Sequence, residues 1–245
     1  MKKNHILFAA AGLFFATNAF AALTVTLTQD AYSSGNGGEF NAVITGGNYT
    51  PYYNSSPTTQ TTFGSGIETF CIDTSHYFNP GTTYNATIGS TTYAGSGNQI
   101  SAGTAFLYSQ FAAGTLAGYN YTLTGNARNT SAGLLENTLW ALEGEISSTG
   151  IFVTGNQFYN DLISKYGTIA AAEADAGVNN YGVGVLELTT ASGAIAQSQL
   201  IETLPPGNHT SSVPEPSTVV AGALLLLPFG VSTLRILRKK NAAAE

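Results

Sequence analysis

The chain's one cysteine, Cys71, stands just ahead of Asp73 and His76, so a thiol, a carboxyl and an imidazole share one short segment. Those residue types can make a nucleophile, its base and an orienting acid. Such groups must converge in space, however, and closeness along an extended segment does not supply that geometry. A zinc centre needs three or four ligands, and one Cys with one His falls short. Glu136, Glu143 and Glu145 form an acidic set further along. Paired carboxyls can act as glycosidase acid and base or bind calcium. No Asp-x-Asp-x-Asp-Gly loop accompanies them, and acids on a helix usually line its solvated face. The expectation is no catalytic residue, no metal and no cofactor. With a single cysteine no intramolecular disulfide can form, and a free Cys is most often a small buried hydrophobe.

These residues need elements to hold them. Leu23, Val25 and Leu27 alternate with threonines in the period-two pattern of a half-buried strand. Phe40 to Thr45, Ile67 to Asp73 and Thr82 to Ile88 also read as strands between Gly/Asn/Ser/Pro-rich turns. From Asn98 the period becomes helical, with Asn98 or Ser101 as the cap. A second helix starts at Thr130-Ser131 and carries Leu134, Leu135, Leu139, Leu142 and Ile146, with Trp140 beside them. A third runs from about Asn156 to Ala174. Alternation returns from Tyr181 to Thr190, and Gln199 to Leu204 closes the sheet. The order predicts a mixed α+β fold, a β-sandwich or barrel with a helical insert at about 96–175.

Composition restricts the partners. Between residues 22 and 212 there are 12 acidic residues but only Arg128 and Lys165 as bases, so this region carries about −10. A surface without a cationic footprint does not suit phosphate backbones, which excludes nucleic acid. With 13 Tyr and 13 Phe in the chain, this is a folding sequence and not a disordered one.

The ends supply an address. Lys2 and Lys3 precede an apolar run from Ile6 to Ala16, and Ala19 and Ala21 make a small-x-small site, so residues 1–21 read as a cleaved signal peptide. Residues 22–202 then form the extracytoplasmic domain, and 203–216 a linker. Residues 217–234 are uncharged and apolar, a short transmembrane helix. Arg235, Arg238, Lys239 and Lys240 follow in a tail at 235–245 and hold that side in the cytoplasm, because cations cross hydrocarbon at high cost. The bulk of the chain therefore lies outside the inner membrane. Val213, Pro214, Glu215 and Pro216, then the apolar span, then the basic cluster resemble the PEP-CTERM sorting tag. The resemblance implies processing at that motif by an exosortase-type membrane enzyme in bacteria that make exopolysaccharide.

A second resemblance is internal. Phe70-Cys71-Ile72-Asp73 on a strand and Leu135-Glu136-Asn137-Thr138-Leu139-Trp140 on a helix resemble the two halves of Cys-Gln thioester domains of bacterial surface adhesins. In that family a Cys thiol and a Gln amide join with loss of ammonia, and the acyl group captures a nucleophile on a target. Here Glu136 stands at the Gln position, and a carboxylate resists a nucleophile where an amide can release ammonia. Gln99, Gln110 or Gln157 could substitute, with no spacing to favour any of them. The functional expectation is an exported, anchored and sorted surface or matrix protein, adhesive or exopolysaccharide-associated and non-enzymatic. The alternatives are a covalent adhesin using Cys71, or a secreted hydrolase.

Overall fold

A computed structural model describes residues 22–35, 37–47, 66–93, 96–122, 126–177 and 180–203. The expected signal peptide, the linker beyond Thr203, the Pro-Glu-Pro motif, the span 217–234 and the basic tail lie outside these residues. Among the described residues no helix is long and apolar enough to cross a membrane.

Among the described residues the elements run in the order β1 (Thr24–Ser34), β2 (Gly37–Thr45), β3 (Ile67–Thr69), β4 (Thr83–Gly89), β5 (Thr91–Tyr93), β6 (Ser96–Gln99), α1 (Ala102–Ala112), α2 (Ala127–Leu142), α3 (Gln157–Tyr166), α4 (Ile169–Ala172), β7 (Val183–Thr189) and β8 (Ile195–Glu202). The mixed α+β expectation holds. Six strands make one curled antiparallel sheet, a half-barrel in the order β3-β2-β1-β4-β7-β8, and β5 pairs with β6 alone. The curl brings the two edges together just past β3. Leu200 N donates to Phe70 O at 3.0 Å, Ile72 N donates to Ser198 O at 3.3 Å, and Cys71 faces Gln199 across the seam.

Alternation sorts the side chains onto two faces. Val25, Leu27, Ala42, Leu186, Leu188 and Ile201 fill one cluster. Phe70, Ile72, Val185 and Leu200 belong to the other, which they share with Leu107 and Phe111 of α1, Leu135 and Leu139 of α2 and Leu162 of α3. The helices thus bury their apolar stripes against the sheet, the main source of stability for short amphipathic elements.

Several boundaries differ from expectation for physical reasons. Ser101 caps α1, its hydroxyl accepting from Thr104 N. The second helix begins at Ala127, four residues before Ser131. Thr130 and Ser131 sit inside it, their hydroxyls donating back to the carbonyls of Asn126 and Ala127, a bond that frees these residues from a capping role. The expected third helix is broken where Gly167 takes φ 79°, a conformation suited to glycine, leaving α4 as a separate turn capped by Thr168. β8 starts at Ile195, earlier than Gln199. The short β5 and β6 had no alternation long enough to reveal them.

One close approach seats α2. A Cβ on Gly37 of β2 would lie 2.5 Å from Glu136 Cγ and 2.9 Å from Trp140 Cη2. Only a residue without a side chain lets the strand meet the helix here. Gly37→Ala should therefore cost about 1–3 kcal/mol through overpacking. A lowered urea midpoint at unchanged slope is the measurement.

Candidate functional site around Cys71

Cys71 belongs to the segment that extends β3 toward β8, and it is fully buried. Glu136 lies in the middle of α2 and is 1 % exposed. The two resembled motif halves meet: Cys71 Sγ stands 2.6 Å from Glu136 Oε1 and donates to it. The Trp140 indole lies one helical turn on, over Gly37, close enough to favour the thiolate slightly.

Burial sets the ionisation of the pair. Exclusion of water raises the Cys71 thiol well above its usual range, and the neighbouring Glu136 carboxyl raises it further. Burial likewise raises Glu136 well above the carboxylate range, opposed by its hydrogen bonds with Cys71. At neutral pH the site therefore holds a neutral thiol, against a carboxyl whose proton is retained to higher pH than usual. A protonated, enclosed thiol is a poor nucleophile.

Beside this pair the structure places a residue that sequence reasoning missed. The two seam hydrogen bonds flank Cys71 and Gln199, which makes them a directly opposed pair of the kind that brings Cβ atoms to roughly 4.5–5.5 Å on the same face. Gln199 is fully buried, and neither its Oε1 nor its Nε2 has a hydrogen-bond partner. Glu136 Oε2 is also without one. A fully buried amide with no hydrogen bond is costly, on the order of 1–3 kcal/mol per group, and marks a place where something other than stability is held. Little in the sequence marked it, since Gln199 is one of several polar residues in β8, beside Gln197, Ser198 and Glu202. The substitutes named from sequence go elsewhere: Gln157 donates to Asp161, Gln110 accepts from Thr115, and Gln99 is exposed on β6.

Asp73 and His76 do find each other, His76 Nδ1 bonding to Asp73 Oδ2, while Asp73 Oδ1 accepts from Ser75 N and His76 N. The carboxyl shapes this turn. No hydrogen bond joins His76 to Cys71 among the described residues, so the three do not form a relay. The acidic set is not a solvated face. Glu143 is 8 % exposed and accepts from Ser101 N and Thr104 Oγ1, tying α2 to the start of α1. Glu145 accepts from Thr74 N and Oγ1 at 3.0 Å. With Glu136 on Cys71, the three carboxyls serve three different partners. No group of three or more His, Cys, Asp or Glu among the described residues could hold a metal ion.

No family model, curated protein or solved structure matches this chain.

The Glu136 carboxyl has a stability signature. Its folded pKa lies above its unfolded value, so the folded state binds the extra proton. The contribution is complete below the unfolded pKa and is lost as pH rises toward the folded value. Glu136→Gln keeps an acceptor for the thiol and has nothing to titrate. Its melting temperature should match wild type at about pH 4 and exceed it by several degrees at about pH 8, as read by thermal denaturation at both pH values.

Proposed function

We propose that this chain is exported, anchored in the inner membrane through residues 217–234, and processed at Val213 to Pro216 by an exosortase-type enzyme. It then serves in the cell envelope or extracellular matrix as an adhesive, exopolysaccharide-associated protein without enzymatic activity. Its domain is a small α-covered half-barrel that closes as a barrel at the Cys71 seam. The address rests on the order of the terminal segments. The basic cluster stays inside, and the acidic domain stays outside.

The observation that carries the adhesive part is the outer face of the sheet. Register aligns Thr45, Thr24, Asn85 and Thr189 in one row across four strands, with Thr26 and Thr83 paired in the next. Thr24 and Thr45 hydroxyls are 2.8 Å apart, and those of Thr26 and Thr83 2.7 Å apart. Such a row of hydroxyls and amides, without cations, offers donors and acceptors to a neutral sugar chain at low desolvation cost. The buried neutral thiol supports the non-enzymatic part.

A second reading, the covalent adhesin, is favoured by Gln199. Attack of the Cys71 sulfur on the Gln199 side-chain carbon would form a thioester and break the C–N bond. Ammonia would leave with the thiol proton, and the Glu136 carboxyl, which already accepts from the sulfur, stands there to relay it.

Cells expressing the full chain should carry it in the envelope fraction, and deletion of Val213 to Lys240 should release it from the membrane. Recovery of both forms in the cytoplasm would refute the export reading. Binding of the full-length protein to immobilised neutral glucans should weaken by about tenfold in Thr24→Ala/Asn85→Ala, the loss of one or two hydrogen bonds. Intact mass after denaturation with a thiol reagent separates the two readings. One labelled thiol at full mass fits the non-covalent protein, and an unlabelled chain short by one ammonia fits a Cys71–Gln199 thioester.

A further inference from the structure

We propose that the buried ion network at Arg128 is a proton-dependent latch that seats α2 on β2 and β3, keeping Cys71 covered and Trp140 half-buried. The network is assembled from five places in the chain. Arg128 of α2 is fully buried, its Nε donating to Glu39 Oε1 at 2.8 Å and its Nη2 to Glu39 Oε2 at 2.7 Å and Glu68 Oε2 at 2.6 Å. Glu39 lies on β2 and Glu68 on β3. Asp30 and Tyr32 come from β1, and the guanidinium lies over the Tyr32 ring with Cζ 4.4 Å from its centroid. The Tyr119 hydroxyl, from the segment after α1, donates to Glu39 Oε1, and the Tyr121 carbonyl accepts from Arg128 Nη1.

The charge count makes the network depend on protons. Three buried carboxyls lie around one guanidinium, Glu39 and Glu68 paired with it and Asp30 near enough to feel its charge, and Asp30, Glu39 and Glu68 are 3 %, 0 % and 6 % exposed. The only other Lys or Arg among the described residues, Lys165, sits over Phe106 and Tyr181 on α3. Neutrality needs two of the three acids to stay protonated. Two carboxyl oxygens, Asp30 Oδ2 and Glu68 Oε1, are buried without a hydrogen-bond partner. Burial first, and then the charge of Glu39, push Glu68 up to about 10 against the pull of Arg128. The same two causes raise Asp30. Loss of those protons leaves two uncompensated charges in a dry site, a situation that proteins relieve by moving apart.

The movement has a defined consequence because α2 carries both sites. Arg128 and Glu136 are eight residues apart, a little over two helical turns, and both meet β2, Arg128 at Glu39 and Glu136 over Gly37. Strand β2 carries both Glu39 and Gly37, the glycine under Glu136 and Trp140. Strand β3 carries Glu68, three residues before Cys71. Lifting α2 from Glu39 and Glu68 lifts Glu136 and Trp140 from the sulfur.

Trp140 is the only tryptophan, so its quenching by acrylamide reads this contact in the full-length protein whatever the chemical state of Cys71. Between about pH 6 and about pH 10 the wild-type quenching constant should rise severalfold while the far-UV circular dichroism is retained. In Glu68→Gln/Asp30→Asn it should stay level over that range. Glu68→Gln alone should move the rise upward by about one pH unit, a tenfold change in proton activity. A flat wild-type profile would overturn the latch, as would an equal rise in the double variant. Loss of the far-UV signal together with the rise would also overturn it, since that is global unfolding. Should the double variant fail to fold, the wild-type profile and Glu68→Gln decide the matter by the same criteria.

Discussion

Everything at this site depends on how α2 lies on the sheet. The helix is amphipathic in an unusual sense: its apolar side meets the helical core through Leu135, Leu139 and Leu142, and its polar side is also buried. Arg128, Glu136 and, just past the helix end, Glu143 all point into protein and not into water. Burying an ionisable group is unfavourable unless it is neutralised or paired, so each contact imposes a geometric condition on its partner strand. Glycine at position 37 gives the strand the room to meet that condition. The outcome is a helix whose register is specified by polar contacts as well as by hydrophobic packing.

The same burial accounts for the unusual acidity of the interior. Asp30, Glu68, Glu136, Glu143 and Glu202 all have pKa values raised chiefly by desolvation, with Glu202 at about 8. A domain with many acids and very few bases does not place all its negative charge on the surface. Part of it is stored as protonated carboxyl groups inside. That arrangement lowers the self-repulsion expected of a chain with about −10 between residues 22 and 212, at the expense of stability as pH rises.

At the seam the two edges of a curled sheet meet over a very short length. Pairing the edges covers groups that would otherwise invite aggregation, and here two main-chain hydrogen bonds are supplemented by Thr69 Oγ1 donating to Leu200 O and Gln197 Nε2 donating to Asp73 O. The thiol and the amide directly across from it occupy that junction, where the inward-facing side chains of β3 and β8 converge. A cysteine there is shielded from solvent by the helix on one side and the sheet on the other. The polar outer face, by contrast, presents threonine and asparagine to water without strain, since β-branched Thr suits a pleated surface.

Much of this was legible in the amino-acid sequence because the signals are local. Alternation marked β1, β2, β4 and β7, the helical period marked α1 and α2, and the motif halves at Cys71 and Glu136 were visible as short patterns. Charge order and apolar length at the two ends likewise support an export reading from sequence. The contacts across the sheet were not local. That Arg128 would join Glu39 and Glu68, residues 89 and 60 positions away, follows from strand order and helix placement alone. The same is true of Gln199 facing Cys71, since the curl of the sheet brings its last strand to its third. The acids on α2 look solvent-facing in a helical projection. Only tertiary structure shows that a second surface covers them, because a sequence states which residues share a face but not what that face meets.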